Sequence, residues 1–165
     1  MAEPKWLDGY SGQTVDQLLA LASEYRTDSL VLAFEQAIDQ KAARDGEQAL
    51  SDEECTVLAV EALEREVNNG GYSQFFLNSA EFAPSIIERL LHVGCPRTAK
   101  TAQAAVAALH VSEVTVEAIR TAAEEDNEER AIEIASCDER YYESGEPIAD
   151  KLLDFIKANR IAVNF

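Results

Sequence analysis

The sequence predicts an all-α protein that forms a single compact domain over residues 1–165, with about eight or nine helices. Apolar residues recur at three- and four-residue spacing along most of the chain, which is the periodicity of amphipathic helices. Ser and Thr begin capping boxes, and glycine or proline separates the periodic segments. A chain of 165 residues is also long enough to bury a sizeable core in one domain.

Two helices are predicted in the first part of the chain. The capping box at residues 14–17 begins a helix of about ten residues that ends near Tyr25. Thr27 or Ser29 then caps a second helix, and an apolar face follows at helical spacing. Gly46 ends this helix, because glycine adopts the backbone conformation of a helix terminus without a steric penalty.

The central part of the chain begins with a second capping box, Ser51–Glu54. The helix that starts there carries extra acids at the positive end of its dipole, where they are stabilising. It reaches two adjacent glycines, Gly70 and Gly71, and we expect the helix to stop at them.

Four helices are predicted next. Pro84 occupies the first turn of one that ends before Gly94, and Pro96 opens an alanine-rich successor. Residues 115–124 and residues 128–143 form two more, divided near Asp126 and Asn127.

The last helix is amphipathic, runs from Ile148 to Asn159 and is followed by an apolar tail, Ile161–Phe165. We expect this tail to dock on the core.

Composition excludes several classes of protein. No apolar stretch is long enough to span a membrane and the first residues lack the features of a signal peptide, so a cytoplasmic location is expected. Cys55, Cys95 and Cys137 are about forty residues apart, which is not the spacing of a zinc site or a disulfide framework. We expect reduced, mostly buried thiols, no metal and no cofactor.

Charge is unevenly distributed along the chain, whose formal net charge is −17. Residues 1–66 hold 15 acids and 5 bases, and residues 113–154 hold 14 acids and 4 bases. Residues 67–112 hold only 2 acids and 3 bases. This near-neutral centre suits a packed core or a subunit contact, and the acidic limbs are left for solvent or a cationic partner. Direct binding of nucleic acid is not expected, because it requires clustered Lys and Arg.

No catalytic residue is predicted. His92 and His110 are the two histidines, and Glu88 and Glu113 each lie within a helical turn of one of them. No nucleophile motif accompanies either pair, and histidines at helix ends commonly cap carbonyl groups. The chain also lacks a nucleophile elbow, a phosphate-binding glycine loop and a zinc-protease motif.

The glycine pair belongs to a stretch rich in aromatic and amide side chains, which we name the signature segment. Its members are Asn69, Gly70, Gly71, Tyr72, Ser73, Gln74, Phe75, Phe76, Leu77 and Asn78. In a structural interpretation the glycines turn the chain, the rings fill the core, and the amides of Asn69, Gln74 and Asn78 satisfy backbone groups at the turn. Gln74 and Asn78 are four apart, so their amides share one helical face and can bond loose backbone carbonyls. In a functional interpretation the amides line a small polar cleft that binds a ligand.

The densest run of acids is a second candidate site, which we name the acidic surface. Its members are Glu124, Glu125, Asp126, Glu128, Glu129, Glu133, Asp138, Glu139, Glu143 and Glu146. Helix positions four apart are separated by about 5 to 6 Å at Cβ. That spacing is comparable to the separation of phosphates along one DNA strand, whose axial rise is about 3.4 Å per step. A helix continuing through Asn127 would align Glu125, Glu129 and Glu133 in such a row, although charge runs are also typical of solvated faces that keep a protein soluble.

The signature segment resembles the sequence signature of a family of small acidic bacterial proteins of unknown function, one branch of which is described as DNA mimics. The likeness extends through Asp138, Tyr141 and Tyr142 to the closing helix at Asn159. The resemblance implies that the acidic surface binds a DNA-binding protein, such as a helix-turn-helix regulator, in competition with DNA. We expect a homodimer that pairs through the near-neutral centre. The alternative is a small-ligand-binding protein or an enzyme that uses the cleft, with acidity serving solubility.

Overall fold

The computed structural model describes residues 2–165, and the regular elements in this range are helical. The α-helices of the described range are α1 (Val15–Ala20), α2 (Thr27–Asp45), α3 (Asp52–Asn78), α4 (Ile86–Val93), α5 (Pro96–Ala107), α6 (Val116–Glu124), α7 (Glu128–Glu143) and α8 (Ile148–Ala158). Short 3₁₀ turns occupy Leu21–Ser23, Glu47–Ala49 and Ala80–Ser85. The predicted all-α class is confirmed.

Contacts between Cα atoms group the chain into two units. The first unit holds the residues up to Glu61 together with Pro147–Phe165, and the second unit holds Ala62–Glu146. The boundary at Glu61 falls inside α3, so this helix contributes residues to each unit.

The core of the first unit is built on α2, which packs against α1 and α8. Leu30, Phe34 and Ile38 lie on one face of α2 and are fully buried, because residues three and four apart share a helix face. Leu152 and Ile156 of α8 are fully buried too. The apolar spacing predicted for both helices is therefore confirmed.

The apolar tail docks on the first unit, as predicted. The ring of Phe165 lies edge-on to Tyr10 at 5.7 Å and to Phe34 at 5.9 Å between centroids. The side chain of Val163 is 1% exposed. Edge-to-face aromatic pairs are favourable beyond the area they bury, so these contacts hold the last residues on the core.

Glu54 connects the predicted capping box to the tail. Its Oε2 accepts a hydrogen bond from the backbone N–H of Ser51 at 2.9 Å, and the Ser51 hydroxyl accepts from the Glu54 N–H at 3.1 Å. Glu54 Oε1 also accepts from the N–H of Asn164 at 2.8 Å, and Lys41 Nζ lies 2.8 Å from Glu54 Oε2. One carboxylate thus accepts hydrogen bonds from a backbone N–H at the start of α3 and from the N–H of a tail residue 110 positions later.

Two predictions about the first helices are wrong. The first helix ends at Ala20 instead of near Tyr25, because the chain tightens into a 3₁₀ turn. The N-cap of α2 is Arg26, and neither Thr27 nor Ser29 caps it. The Ser29 hydroxyl instead donates to the carbonyl of Arg26 at 2.8 Å.

The second unit packs α5 against α4 and α7, while α6 packs against the 3₁₀ turn Ala80–Ser85. Pro84 belongs to this 3₁₀ turn and not to the first turn of α4, which corrects the prediction. Gly94 ends α4 in the left-handed conformation, with φ of 87°, and Pro96 begins α5, both as predicted. Within this unit Leu90, Leu109 and Ile119 are fully buried.

Reduced cysteines and the lack of a membrane-spanning helix were both predicted from composition. All three thiols are free, with Cys95 and Cys137 buried and Cys55 half-buried. Across residues 2–165, no helix combines the length and apolar character that a bilayer crossing requires.

Candidate functional site

The signature segment interrupts α3 at its two glycines, after which the helix continues to Asn78. Gly71 has φ +77° and ψ −176°, a backbone region that is essentially restricted to glycine. A Cβ added to Gly71 would overlap the carboxylate of Asp138, and one added to Gly70 would overlap the Gln74 side chain. The predicted break is confirmed, but the helix resumes after two residues.

Asp138 of α7 caps the start of the resumed helix. Its Oδ1 accepts a hydrogen bond from the backbone N–H of Tyr72 at 2.7 Å, across 66 positions of sequence. Burial raises the pKa of the Asp138 carboxyl, and the hydrogen bond from Tyr72 opposes this rise without cancelling it. Asp138 was predicted to lie on the acidic surface. The structure places it half-buried instead, because Gly71 lacks the side chain that would exclude it.

Two of the three side-chain amides of the signature segment bind one carboxylate. Gln74 Nε2 and Asn78 Nδ2 donate to Oε2 of Glu66 at 2.7 and 3.0 Å. Burial opposes ionisation of Glu66, but these hydrogen bonds and the nearby Arg65 outweigh it and lower the pKa of Glu66. The amides share one face, as predicted. Their expected bonds to loose carbonyls are absent within the described chain because Glu66 accepts both donors.

Other groups satisfy the carbonyls that precede the break. The Glu64 carbonyl accepts from Asn68 Nδ2 at 2.7 Å, and the Val67 carbonyl accepts from the hydroxyl of Tyr142 at 2.8 Å. Tyr142 and Asp138 are both on α7, so this helix binds backbone groups on each side of the break. Sequence spacing could not reveal this contact, since it joins residues 75 positions apart.

Aromatic rings of the signature segment form the core around the break. Phe75, Phe76 and Tyr72 are at most 1% exposed. The Tyr72 ring lies 6.0 Å from the ring of Tyr141 in an edge-on arrangement. The hydroxyls of Tyr72 and Tyr141 are buried and have no hydrogen-bond partner among residues 2–165. The structural interpretation accounts for the rings but leaves these two hydroxyls unexplained.

Titratable groups near these rings favour their uncharged forms. Burial raises the pKa of Glu64 to about 7. Burial also raises the pKa of the Tyr72 hydroxyl, and the neighbouring Cys137 and Asp138 raise it further. Burial raises the pKa of the Cys137 thiol as well. Burial therefore disfavours charge on Glu64, Tyr72 and Cys137, whereas hydrogen bonds keep the pKa of Glu66 low.

Glu146 is the second predicted member of the acidic surface that turns inward. Its side chain is 5% exposed and accepts hydrogen bonds from the backbone N–H groups of Arg97 and Thr98 at 2.8 and 2.7 Å. The Thr98 hydroxyl donates to it at 2.6 Å. Burial opposes ionisation of Glu146, but these hydrogen bonds together outweigh it and lower its pKa. Glu146 thus accepts backbone hydrogen bonds from the first turn of α5, a contact that spacing along the chain did not indicate.

Two further members of the acidic surface pair with cationic or titratable groups. Glu125 Oε2 lies 3.0 Å from Arg130 Nη1, and Glu133 Oε1 lies 3.2 Å from His110 Nε2. The predicted row through Asn127 is not formed, because α6 ends at Glu124 and Asn127 is the N-cap of α7.

The remaining six members are exposed and form no ion pair within residues 2–165. They are Glu124, Asp126, Glu128, Glu129, Glu139 and Glu143. We name this set the six exposed acids.

The histidines lie apart from the signature segment. His92 is 3.9 Å from Glu88, as its spacing predicted, whereas His110 pairs with Glu133 and not with Glu113. His110 has a positive φ of 52°, and its ring contacts Glu133 of α7. In the described part of the chain, no group of three or more His, Cys, Asp and Glu side chains is arranged to hold a metal ion.

These features define a strongly acidic all-α protein in which two glycines interrupt one long helix, α3. A carboxylate and a hydroxyl group of a second helix, α7, bind backbone groups on the two sides of this break. Residues 48–159 match the sequence model of the family described as DMP19-like protein. The match covers more than half of the chain, and the protein belongs to the DMP19-like family. The matched range includes the signature segment together with Asp138 and Tyr142. No curated protein sequence matches the chain significantly.

Proposed function

We propose that this protein is a DNA mimic, which occupies the basic surface of a DNA-binding protein, most simply a helix-turn-helix regulator, and competes with DNA for it. The observation that carries the proposal is the set of six exposed acids on α6, α7 and their connection. Because these carboxylates are neither buried nor paired within the described chain, they are free to contact Lys and Arg of a partner.

The helical geometry of α7 supports a one-sided acidic surface. One face of α7 is buried within the second unit. The buried residues on this face are Ile134, Cys137 and Tyr141. At 3.6 residues per turn, Glu139 and Glu143 fall on the opposite face of the helix. These two residues are four positions apart, so their Cβ atoms are separated by about 5 to 6 Å. This interval is close to the phosphate spacing that the proposal requires.

In this proposal the signature segment has a positioning role. Asp138 and Tyr142 fasten α7 to both sides of the break in α3, which fixes the helix that carries most of the six exposed acids. A preordered array loses less conformational entropy on docking than an acidic disordered tail would.

The alternative ligand cleft receives less support, and we propose a non-enzymatic role. Gln74 and Asn78, the amides that would line such a cleft, both donate to the Glu66 carboxylate. A ligand would have to displace that carboxylate to reach them. The structural interpretation of these amides needs no such displacement.

We also propose that the protein forms a homodimer through the near-neutral centre of its sequence. Leu77 and Leu91 lie in this centre and are 45% and 55% exposed. Large apolar side chains at the surface of a region depleted in charge are typical of subunit contacts.

Capture of a partner and competition with DNA test the mimic proposal together. The immobilised protein is exposed to a bacterial lysate at low salt, bound proteins are eluted with salt, and a purified DNA-binding protein from the eluate is titrated against its DNA. We expect the mimic to displace the DNA, and we expect this displacement to weaken steeply with salt, because exposed charges are screened beyond about 8 Å at physiological ionic strength.

A matched pair of variants separates the acidic surface from net charge. In the first variant Glu128, Glu129, Glu139 and Glu143 are changed to Gln. The control changes the same number of exposed acids in the first unit to the corresponding amides. These acids are Glu3, Asp8, Glu24 and Glu47. We expect the first variant to lose about tenfold or more in affinity and the control to lose far less. Equal losses, or displacement that does not depend on salt, would contradict the proposal.

A further inference from the structure

A cavity of about 160 Å³ lies in the second unit beside the signature segment. Its walls include the apolar side chains of Phe76, Ala131 and Ile134, and Ser73 and Asp126 also line it. Ser73 and Phe76 belong to the signature segment, whereas Ala131 and Ile134 belong to α7. Its walls are therefore part apolar and part polar, and the hydrogen bonds of the amides do not account for it.

Arg130 lines the same cavity and leaves one donor unused. Its side chain is 12% exposed, and its Nη1 donates to the carbonyl of Ala122 at 2.7 Å and to Glu125 Oε2 at 3.0 Å. Its Nε is buried and has no hydrogen-bond partner among residues 2–165. A buried N–H without an acceptor is unfavourable, so a molecule that brings an acceptor to this atom would be stabilised there.

Size and charge restrict that molecule. A cavity of about 150 Å³ is large enough for a benzene ring, so this one accommodates a molecule of about one ring in size. A cationic group such as an ammonium or amidinium carries hydrogen-bond donors and no acceptor, so it cannot satisfy the N–H of Arg130 Nε. An anion would be opposed by Glu125 and Asp126 at the cavity and by the net charge of −17.

We propose that this cavity binds a small uncharged molecule of about one ring in size, whose carbonyl or comparable oxygen accepts the hydrogen bond of Arg130 Nε. The apolar side chains of the cavity contact the ring, and Arg130 Nε donates a hydrogen bond to the oxygen. Ligand sites commonly combine apolar walls that bury the ligand with a few polar groups that orient it.

Four probes of one size test the proposed class. Benzamide is uncharged and carries an acceptor oxygen, toluene lacks the oxygen, benzoate adds a negative charge and benzamidine adds a positive charge. Each is titrated into the ¹⁵N-labelled full chain, and amide shifts of Ser73, Asn127 and Ile134 are followed. We expect saturable shifts with benzamide and binding at least about tenfold weaker with the other three. Equal binding of toluene, or of either charged probe, would contradict the proposed class.

Substitutions in α7 test the location. Ala131→Leu adds three carbon atoms at a residue that lines the cavity, and Ala135→Leu places the same side chain at an exposed position of α7 outside it. Arg130→Lys keeps the positive charge but removes the N–H at the Nε position. We expect Ala131→Leu and Arg130→Lys to weaken benzamide binding at least about tenfold, with Ala135→Leu unchanged. Benzamide that binds the Ala131→Leu variant as tightly as the unchanged chain, or that produces no saturable shift in the unchanged chain, would overturn the proposal.

Discussion

The first and second units hold their inward-facing carboxylates by different means. In the first unit, Glu54 is fully buried and is paired with Lys41 at 2.8 Å, in addition to its bonds with Ser51 and Asn164. In the second unit, Asp138 accepts a backbone N–H, and Glu66 accepts two side-chain amides. Glu54 of the first unit is therefore in direct contact with a cation, whereas Asp138 and Glu66 accept their short hydrogen bonds from neutral donors, and Arg65 lies farther from Glu66, at 3.6 Å.

This difference bears on the charge of the surface. A neutral donor stabilises a carboxylate without placing a cation nearby, so the potential of the surrounding acids is not offset. The second unit also carries the six exposed acids. Its internal carboxylates stabilise the fold while the unit keeps its negative character, which a mimic of DNA would need.

The largest expected effect comes from removing the carboxylate that has a cationic partner. Glu54→Ala removes the carboxylate beside the Lys41 ammonium, which keeps the Asn164 carbonyl at 2.6 Å, and leaves two backbone N–H groups without their acceptor. We expect the free energy of unfolding to fall by about 3 to 5 kcal/mol. Chemical denaturation measures this loss. Glu53→Ala removes the neighbouring, more exposed acid and should change stability by less than about 1 kcal/mol. Similar losses for the two variants would show that the Lys41 pair has no special role.

The second effect tests the neutral-donor arrangement of the second unit. Gly71→Ala introduces a Cβ that overlaps the Asp138 carboxylate, in a backbone conformation that strongly disfavours alanine. We expect a loss of about 2 to 3 kcal/mol in the free energy of unfolding. Gly145→Ala is the matched control, since Gly145 also has positive φ but no atom lies within 4 Å of its added Cβ. If both variants lose the same stability, backbone strain alone is responsible and contact with Asp138 is unimportant.

A third and smaller effect is the dependence of stability on pH. The pKa of Glu64 is about 7 in the folded protein, against an ordinary value of 4.5, because burial disfavours its charged form. The folded state holds this proton more tightly, so the contribution of Glu64 to stability is complete below pH 4.5 and is lost as pH rises through 7. We expect Glu64→Gln to raise the free energy of unfolding at about pH 8 by about 1 to 2 kcal/mol and to have little effect at about pH 4.

Glu66→Gln is a control variant for which we expect the opposite dependence of stability on pH. The pKa of Glu66 is lowered, so its contribution to stability is present above its ordinary pKa and is lost as pH falls through the folded value. We expect Glu66→Gln to decrease stability at neutral pH and to approach the unchanged chain in acid. Thermal unfolding followed across the pH range distinguishes the two directions. A Glu64→Gln variant that loses stability in the same way as Glu66→Gln would contradict the contrast.

Local signals in the sequence were sufficient for most of the fold. The capping box at Ser51, the glycine at Gly94 and the proline at Pro96 each mark a helix end that the structure confirms. These signals succeed because each acts within about one helical turn, where the donor and acceptor are fixed by backbone geometry. The first helix was predicted too long because a 3₁₀ turn replaces its last part.

The candidate sites were less predictable. Asp138 and Glu146 read as members of a charge run, yet each accepts backbone N–H groups from a distant segment. Their neighbours Glu139 and Glu143 remain exposed, so composition could not tell which acids of the run face inward. The only sequence hint for Asp138 was its place in the extended family resemblance.

The sequence by itself determined the helical class, the break at Gly70 and Gly71, and the excess of negative charge, because helix periodicity, glycine conformation and residue charge are local properties. Tertiary structure decided which acids are used internally and which stay in solvent. It also decided that Tyr142 and Asp138 meet the broken helix and that Arg130 lines a cavity. These outcomes depend on packing between residues far apart in the chain, where a carboxylate is held by whatever donor the fold brings within hydrogen-bond distance.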